Sequence, residues 1–527
     1  MIEIAFENRN KINMNKKSCT VLLVLACMLQ LSFSGNAQKF TTSVSETFKM
    51  DLFQSMFKSG DDFITFKETD QKTLVGMGYN LSKAKFGIKL FRYDGAMKLV
   101  KENHLSGGDK NFGPFPSRMI KVNDKLWLVY FNYGKEEKNS LNIMAAEINP
   151  VSLEIGEGKE LLELNLGNTG LSKSVDLLRL AKLIIEPSPD KTKLLVCWAP
   201  GLGNEYFISV TDTGLNPAWE KKETVIAGEK IEISSAVVDN NGTVYTTYRI
   251  NPEKDKYNNY MAISQPKAKT KQIEIKIPGG KPYQALAVAS KKTNEVYITG
   301  TYATGAAGFL VGVFNQVVST NDFKAGQIQT TTFSEELVKQ LARDKGDWAS
   351  TKSNKFGLVH LDMRAYALED GAIAMAGEFI EKGLTGKMHG YKISGCLLNV
   401  HFNETGTVIG YIPRYRASMA GTIADSYYAS PYKDKLLVFY NDHADNLKLD
   451  VSDGSGNYSK SVLVVGSMDK DGKIKRENIM DLTKDDFLPV ADAITAQSSS
   501  SLLVPANEIK SLGKIGNESK VVTITIE

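Results

Sequence analysis

Apolar residues in this chain fall into short runs, alternating or nearly continuous, each closed by Asn, Asp, Gly or Pro. The most regular are TLVGMGY from Thr73, KLWLVYF from Lys125, KLLVCW from Lys193 and TVYTTY from Thr243. They continue with EVYITGTY from Glu295, AIAMAGEF from Ala372, KLLVFY from Lys435 and SLLVPAN from Ser501. Runs of this length, rich in β-branched and aromatic residues and bounded by turn formers, predict strands rather than helices. Most follow a tight polar turn, as at Asn123-Asp124, Pro189-Asp190, Asn240-Asn241-Gly242, Glu369-Asp370-Gly371 and Lys433-Asp434. All but the last lead, after a longer polar loop, into a second β run such as IKLFRYD, IMAAEIN, FISVTD, LLNVHF or SVLVVGSMD. Further tight turns (Asp94-Gly95, Asp471-Gly472) and short strands such as QIEIKI at 272–277 then follow.

A unit of four strands, A to D, recurring every ~50–75 residues is the pattern of a propeller blade. The chain therefore reads as all-β: a β-propeller of eight four-stranded blades, or of seven if the last unit, with Pro505 inside its B strand, is a cap. Two stacked β-sandwich domains are the competing architecture, and the lack of a linker between halves speaks against them. The last unit lacks an outer strand, while KFTTSVSETFKM from Lys39 is a spare strand ahead of the first. Borrowing it would close the ring and remove an exposed edge, making residues 38–527 one domain. One insertion breaks the rhythm. In TTFSEELVKQLARDKGDW, Thr332 and Glu335 form a capping box ahead of apolar residues at helical spacing, which predicts a short helix near 330–348.

The N-terminus follows a different pattern. Lys16 and Lys17 precede an apolar stretch from Cys19 to Phe33, and Gly35-Asn36-Ala37 supplies small residues before Gln38. This is a signal peptide, residues 1–37, with Met14 as the better start, so the chain is expected to be secreted or periplasmic. A second reading takes Val24-Leu25-Ala26-Cys27 as a lipobox, with Cys27 acylated on an outer-membrane lipoprotein; the apolar run continues past Cys27, which favours the first. No other segment is long and apolar enough to span a membrane. Past Ala37 only Cys197 and Cys396 remain, both in apolar strand-like runs that suit buried free thiols better than a disulfide.

Net charge is +4 over 527 residues, without long runs of one sign, so neither a nucleic-acid footprint nor a polybasic membrane patch is indicated. The 43 glycines against 15 prolines suit many tight hairpins rather than disordered linkers. The five histidines form no metal-ligand spacing, and no P-loop, nucleophile elbow or cofactor motif occurs; no cofactor and no metal is expected. Asp453-Gly454-Ser455-Gly456-Asn457 lacks the acidic residue that would close a calcium loop.

In a blade the A–B and C–D turns share one face and the B–C loops lie on the other. Here the B–C loops are the long, dissimilar ones, including EKGLTGKMHGYK from Glu381 and the stretch from Asn441, so the B–C face is the expected working face. The candidate binding residues lie there: Asn441, Asp442, His443 and Asp445, which gather carboxylates and an imidazole in one loop, with Glu378 and Arg414 in the preceding unit. A solvated loop and a buried Glu–Arg clamp are the plainer accounts of the same residues. No residue stands out as catalytic.

Within Asp370 to Asn446, DGAIAMAGEFIE, LLNVHFNETGTVIGYIPRYR and SYYASPYKDKLLVFYND resemble secreted Bacteroidetes proteins of uncharacterised function. Gly377-Glu378-Phe379 and Tyr440-Asn441-Asp442 match, while Arg414 and Arg416 replace lysines. The resemblance covers about 80 residues and implies a β-propeller-like envelope protein, with no activity attached. The expected function is a non-catalytic scaffold binding a protein or glycan; a glycan-active envelope hydrolase or lyase with its site in the central channel is the rival.

Overall fold

The computed structural model describes residues 38–49, 55–69, 87–106, 118–133, 140–165, 181–200, 203–225, 230–250, 258–291, 295–304, 309–337, 349–350, 355–356, 360–385, 389–403, 406–412, 416–419, 427–448, 461–469, 471–510 and 514–527. The chain is an eight-bladed β-propeller. Blade 3 shows the unit plainly: A is Lys182–Pro187, B is Lys193–Ala199, C is Glu205–Asp212 and D is Pro217–Thr224, all antiparallel to their neighbours. The leader and the run from Thr73 lie outside the described residues. Strand B of blade 1 is Asp62–Thr69, upstream of that run, and it pairs with C, Gly87–Tyr93.

Blades stack through eight apolar clusters, one at each interface. This explains why the B strands read as nearly continuous apolar runs. In blade 2, Leu126, Leu128 and Tyr130 pack toward blade 1, while the alternating Trp127, Val129 and Phe131 pack toward blade 3. Both faces are buried, so neither set of alternating positions is polar.

The ring closes as the spare strand suggests. Phe40–Val44 is the outer strand of blade 8, pairing from Phe40↔Ile526 to Val44↔Val522. Phe48 then enters the core between blades 8 and 1 beside Leu503 and Val521. Pro505 leaves blade 8 intact but splits its inner strand into Phe487–Pro489 and Thr495–Ser498, around a 3-10 turn at Ala491–Ala493. A proline has no N–H to give the inner neighbour. Its carbonyl still accepts the Val490 N–H at 2.7 Å, which anchors the break.

Two local features differ from the sequence pattern. The C–D turns place large apolar residues, not only glycine, in the left-handed region: Met97, Leu153 and Leu215 have φ of 62°, 56° and 59°. All three are buried in the cluster shared with the preceding blade. The left-handed conformation costs about 1–2 kcal/mol, and burying such a side chain returns about 1.5–3 kcal/mol. Side chains of Asp94, Asn149 and Asp212 cap these turns by accepting N–H groups two to four residues on. In the insertion, residues 335–337 are helical, but Ser334 rather than Thr332 is the cap. Ser334 Oγ accepts the Leu337 N–H at 3.1 Å, and Thr332 stays in a strand paired with Gly312. Among the described residues no helix is long and apolar enough to cross a membrane.

Candidate functional site

Of the residues singled out on the B–C side, Glu378, Asn441, Asp442 and His443 are buried. Strand B of blade 7, Lys435–His443, carries Asn441, Asp442 and His443 at its B–C end, and all three are buried. Asn441 Nδ2 donates to the Pro489 carbonyl of blade 8 at 2.6 Å. Asp442 Oδ1 accepts the His443 N–H and the Asn446 side-chain amide, both at 2.8 Å. His443 Nδ1 accepts the Asp445 N–H at 3.2 Å, and Asp445 is exposed at the start of a 3-10 turn, Ala444–Lys448. The cluster is thus a folded corner that ties blade 7 to blade 8. Comparable ties recur around the ring: Asn259 donates to the Pro282 carbonyl at 2.9 Å and the Tyr427 hydroxyl to the Ala376 carbonyl at 2.8 Å.

Glu378 is buried in strand B of blade 6, Ile373–Thr385, opposite Leu397 of strand C, His389–Asn403. Arg414 lies outside the described residues. The segment EKGLTGKMHGYK, read as a loop, continues these two strands as a ladder from Ile380↔Ser394 to Thr385↔His389, and Arg416–Met419 adds a third strand along it. Cys197 is a free, buried thiol whose pKa burial pushes up to about 12. His401 is buried, and desolvation lowers its pKa. Among the described residues no three potential ligands cluster to hold a metal.

The A strands present a different group. Neighbouring blades meet along these first strands, as blade 3 meets Ile231–Val238 of blade 4, so the A strands wall the centre of the ring. Their ionisable side chains include Arg118 from blade 2 (Arg118–Val122), Glu186 from blade 3, Arg364 and Tyr366 from blade 6 (His360–Ala367) and Tyr428 from blade 7 (Tyr427–Tyr432). Arg118, Glu186 and Arg364 are exposed, and the two tyrosines are half-buried. Glu186 interacts electrostatically with Arg118 and also with Tyr366. Blades 3 and 6 are not neighbours, so the two groups stand on separate parts of the channel wall.

Register sets the depth of each group. Glu186 and Tyr366 each sit in the second pair from their A–B turn, opposite Leu195 and Ala374. Arg364 is in the fourth pair, opposite Ala376, and Arg118 and Tyr428 are in the fifth, opposite Val129 and Phe439. At ~3.3 Å per residue the arginines lie roughly 7–10 Å nearer the B–C face than Glu186 and Tyr366. Arg364 donates to the Tyr366 hydroxyl and its guanidinium lies 5.4 Å from the Tyr427 ring centroid. Ser430 hydrogen-bonds the Tyr428 hydroxyl.

Enclosure dominates the electrostatics. Water reaches Glu186, yet the surrounding wall disfavours its charged form and pushes its pKa up to about 7, against the opposing pull of Arg118. The same desolvation lowers the pKa of Arg118 and raises those of Tyr366 and Tyr428. The sign for stability follows. The folded state holds the Glu186 proton to higher pH than the unfolded chain, so stability is lost between the usual 4.5 and about 7 and the loss is constant above that. Glu186→Gln removes this loss. Its melting temperature should match the parent at pH 4 and exceed it at pH 8, by on the order of 1–2 °C for a solvated group in a chain of this size. A scanning-calorimetry series over pH checks it; an unchanged or lower value at pH 8 contradicts the enclosure.

Sequence reasoning missed this group because its members come from four blades and share no local motif. The usable signal was weak: charged or tyrosine residues interrupting the short apolar runs just ahead of the A–B turns, as in KLIIEP and HLDMRAYA.

No family model and no curated protein matches the chain. Among solved structures, the β-propeller domain of the trilobed protease from Pyrococcus furiosus is similar at 10% identity over 84% of this chain and 97% of that one, with a TM-score of 0.34. A protein of unknown function from Dyadobacter fermentans is similar at 10% identity over 78% and 94%, with a TM-score of 0.33. An apocarotenoid oxygenase from Synechocystis is similar at 8% identity over 93% and 95%, with a TM-score of 0.33. Nothing about a ligand or a reaction follows from similarity this distant.

Proposed function

We propose that this β-propeller is exported to the bacterial envelope or beyond, where it binds a ligand in its central channel without catalysing a reaction. The reading is supported by the channel-wall strands of blades 2, 3 and 6, which carry Arg118, Glu186, Arg364 and Tyr366 toward the centre of one ring. Binding sites combine such enclosure with a few convergent polar groups. Export rests on the leader-like residues 1–37, and the resemblance at 370–446 supports placing the chain among secreted Bacteroidetes proteins. A glycan array and pull-down from envelope extracts with the chain from Gln38 test the reading. A captured ligand should be lost on Arg364→Ala and retained on His443→Ala; the reverse pattern moves the site to the blade 7 corner.

A second reading, a glycan-active lyase or hydrolase in the same channel, is favoured by one observation. Desolvation pushes the pKa of the Glu186 carboxyl up to about 7, near the range in which a general base is most effective. Hydrolysis by two carboxyl groups needs a partner acid, and the group brings one carboxyl. If an array-positive glycan is cleaved by the parent and not by Glu186→Gln, with binding intact, the enzyme reading replaces the scaffold.

A further inference from the structure

We propose that the seam between blades 6 and 7 is an acid-sensitive joint of the ring, in which a proton on His401 parts the two blades from the A–B side. His401 lies near the end of strand C of blade 6, between Ala374 of strand B and Val408 of strand D. Alternate residues of that strand serve different cores: Leu398, Val400 and Phe402 pack toward blade 5, and Leu397 packs toward blade 7. The alternation puts Asn399 and His401 on the blade 7 side, beside apolar residues such as Leu436, Val438 and Val464. His401 is 4% exposed, and its Nε2 has no hydrogen-bond partner among the described residues. Asn399 is fully buried, and neither polar atom of its side chain has a partner there. Such groups cost stability where they stand, so this seam is held less firmly than its apolar packing alone would hold it.

What surrounds the imidazole sets the direction of opening. The A–B turns of the two blades meet at this end of the seam, where the Glu369 N–H donates to the Lys433 carbonyl at 3.1 Å. Those turns carry Glu369 and Asp370 on blade 6 and Lys433 and Asp434 on blade 7, all exposed. The C–D turn of blade 7 also packs here, with Gly472 against the Val408 side chain, and adds Asp469, Asp471 and Lys473. Glu404, in the C–D turn of blade 6, lies outside the described residues. Of these groups Asp370 and Asp434 act on His401, and both favour the imidazolium, yet burial disfavours it more. Water and the two carboxylates lie on the same side, so a protonated His401 gains both when the turns part. Deeper in the seam the Tyr427 hydroxyl donates to the Ala376 carbonyl at 2.8 Å, a tie that keeps the far half joined.

In the closed seam burial holds the His401 pKa below the usual 6.5, so stability is intact above that value and is lost as pH falls beneath it. Glu186 on blade 3 works in the opposite direction. The melting temperature of the whole molecule therefore mixes the two, and a local readout separates them. The parted strands also bear Arg364, Tyr366 and Tyr428, so opening displaces part of the channel wall. The joint itself does not depend on whether the channel takes a ligand.

Hydrogen exchange on the chain from Gln38, read by mass spectrometry and corrected for the intrinsic pH dependence of exchange, tests the joint between about pH 8 and about pH 5. Peptides covering residues 368–376, 397–403 and 429–438 are expected to lose protection as pH falls through the histidine range, while those of blades 2 to 4 keep theirs. His401→Gln, neutral throughout, should keep the seam protected at about pH 5. Asp370→Asn combined with Asp434→Asn removes the two charges that favour the imidazolium and should move the opening to lower pH. Both carboxylates are exposed, so this second variant keeps the test sound if His401→Gln folds poorly. Seam peptides whose protection follows that of the other blades at every pH overturn the proposal. So does an equal acid loss in His401→Gln, or a double carboxamide variant that opens at the same or a higher pH than the parent.

Discussion

A chain lacking residues 38–49 is expected to be largely insoluble, and any soluble fraction to unfold well below the intact protein. The deletion removes five register pairs to the last strand, Phe40↔Ile526 through Val44↔Val522, and two more at Phe48↔Ser519 and Lys49↔Glu518. It also takes Phe48 from the core shared by blades 8 and 1, where it lies 4.9 Å, ring to ring, from Tyr93. Net hydrogen-bond terms of about 1 kcal/mol each and about 1.5–3 kcal/mol for the buried ring reach the size of a typical domain's whole stability. The strand left bare, Lys514–Ile526, contains KVVTITI, an apolar β-branched edge of the kind that pairs between molecules. Soluble yield and thermal unfolding measure the effect, and a peptide of residues 38–49 added during refolding should recover part of it. A truncated chain that melts with the intact one would show that the ring does not depend on this closure.

Most of the architecture was legible in the sequence because the propeller buries both faces of its B and C strands. KLWLVYF of blade 2 feeds two cores with alternate residues, so its apolar run is long enough to stand out. The same logic explains why strand B of blade 1 is harder to read: DFITFKET ends in the polar Lys67-Glu68-Thr69, so it stands out less than the more apolar run from Thr73. Pro505 cast doubt on the last blade, and the damage is local because the inner strand breaks opposite it and Val490 bonds its carbonyl.

The site was far less legible. A strands carry polar residues where they meet the channel, and residues as distant in sequence as Arg118 and Tyr428 come to line one channel only after the ring closes. The sequence offers no spacing that reports such a meeting. Asn441-Asp442-His443 has the composition of a turn, yet it ends a strand, held by one hydrogen bond to blade 8 and one within its own blade, and composition cannot distinguish the two.

That corner yields the second large effect. Asp442→Ala should lower stability by about 2–5 kcal/mol while leaving occupancy of the channel unchanged. Asp442 is 1% exposed, and its Oδ1 receives both the His443 N–H and the Asn446 amide. Alanine strips a partner from each donor inside a region where water cannot replace it, and each buried donor left without a partner costs about 1–3 kcal/mol. Asn446 itself is fully buried, and its carbonyl accepts from Arg476 at 3.2 Å, so loosening it also loosens the hold on strand Ile474–Met480. Asp442→Asn is the informative companion: it keeps the acceptor oxygen and should recover most of the loss. The channel group is carried by A strands and this corner by the B–C end of strand B of blade 7, so a ligand that binds in the channel should stabilise Asp442→Ala and the parent by the same increment. Ligand titration of both melting temperatures decides between a corner that shapes the scaffold and one that holds the ligand. A smaller increment in the variant, at unchanged pH and salt, would place part of the ligand at the corner.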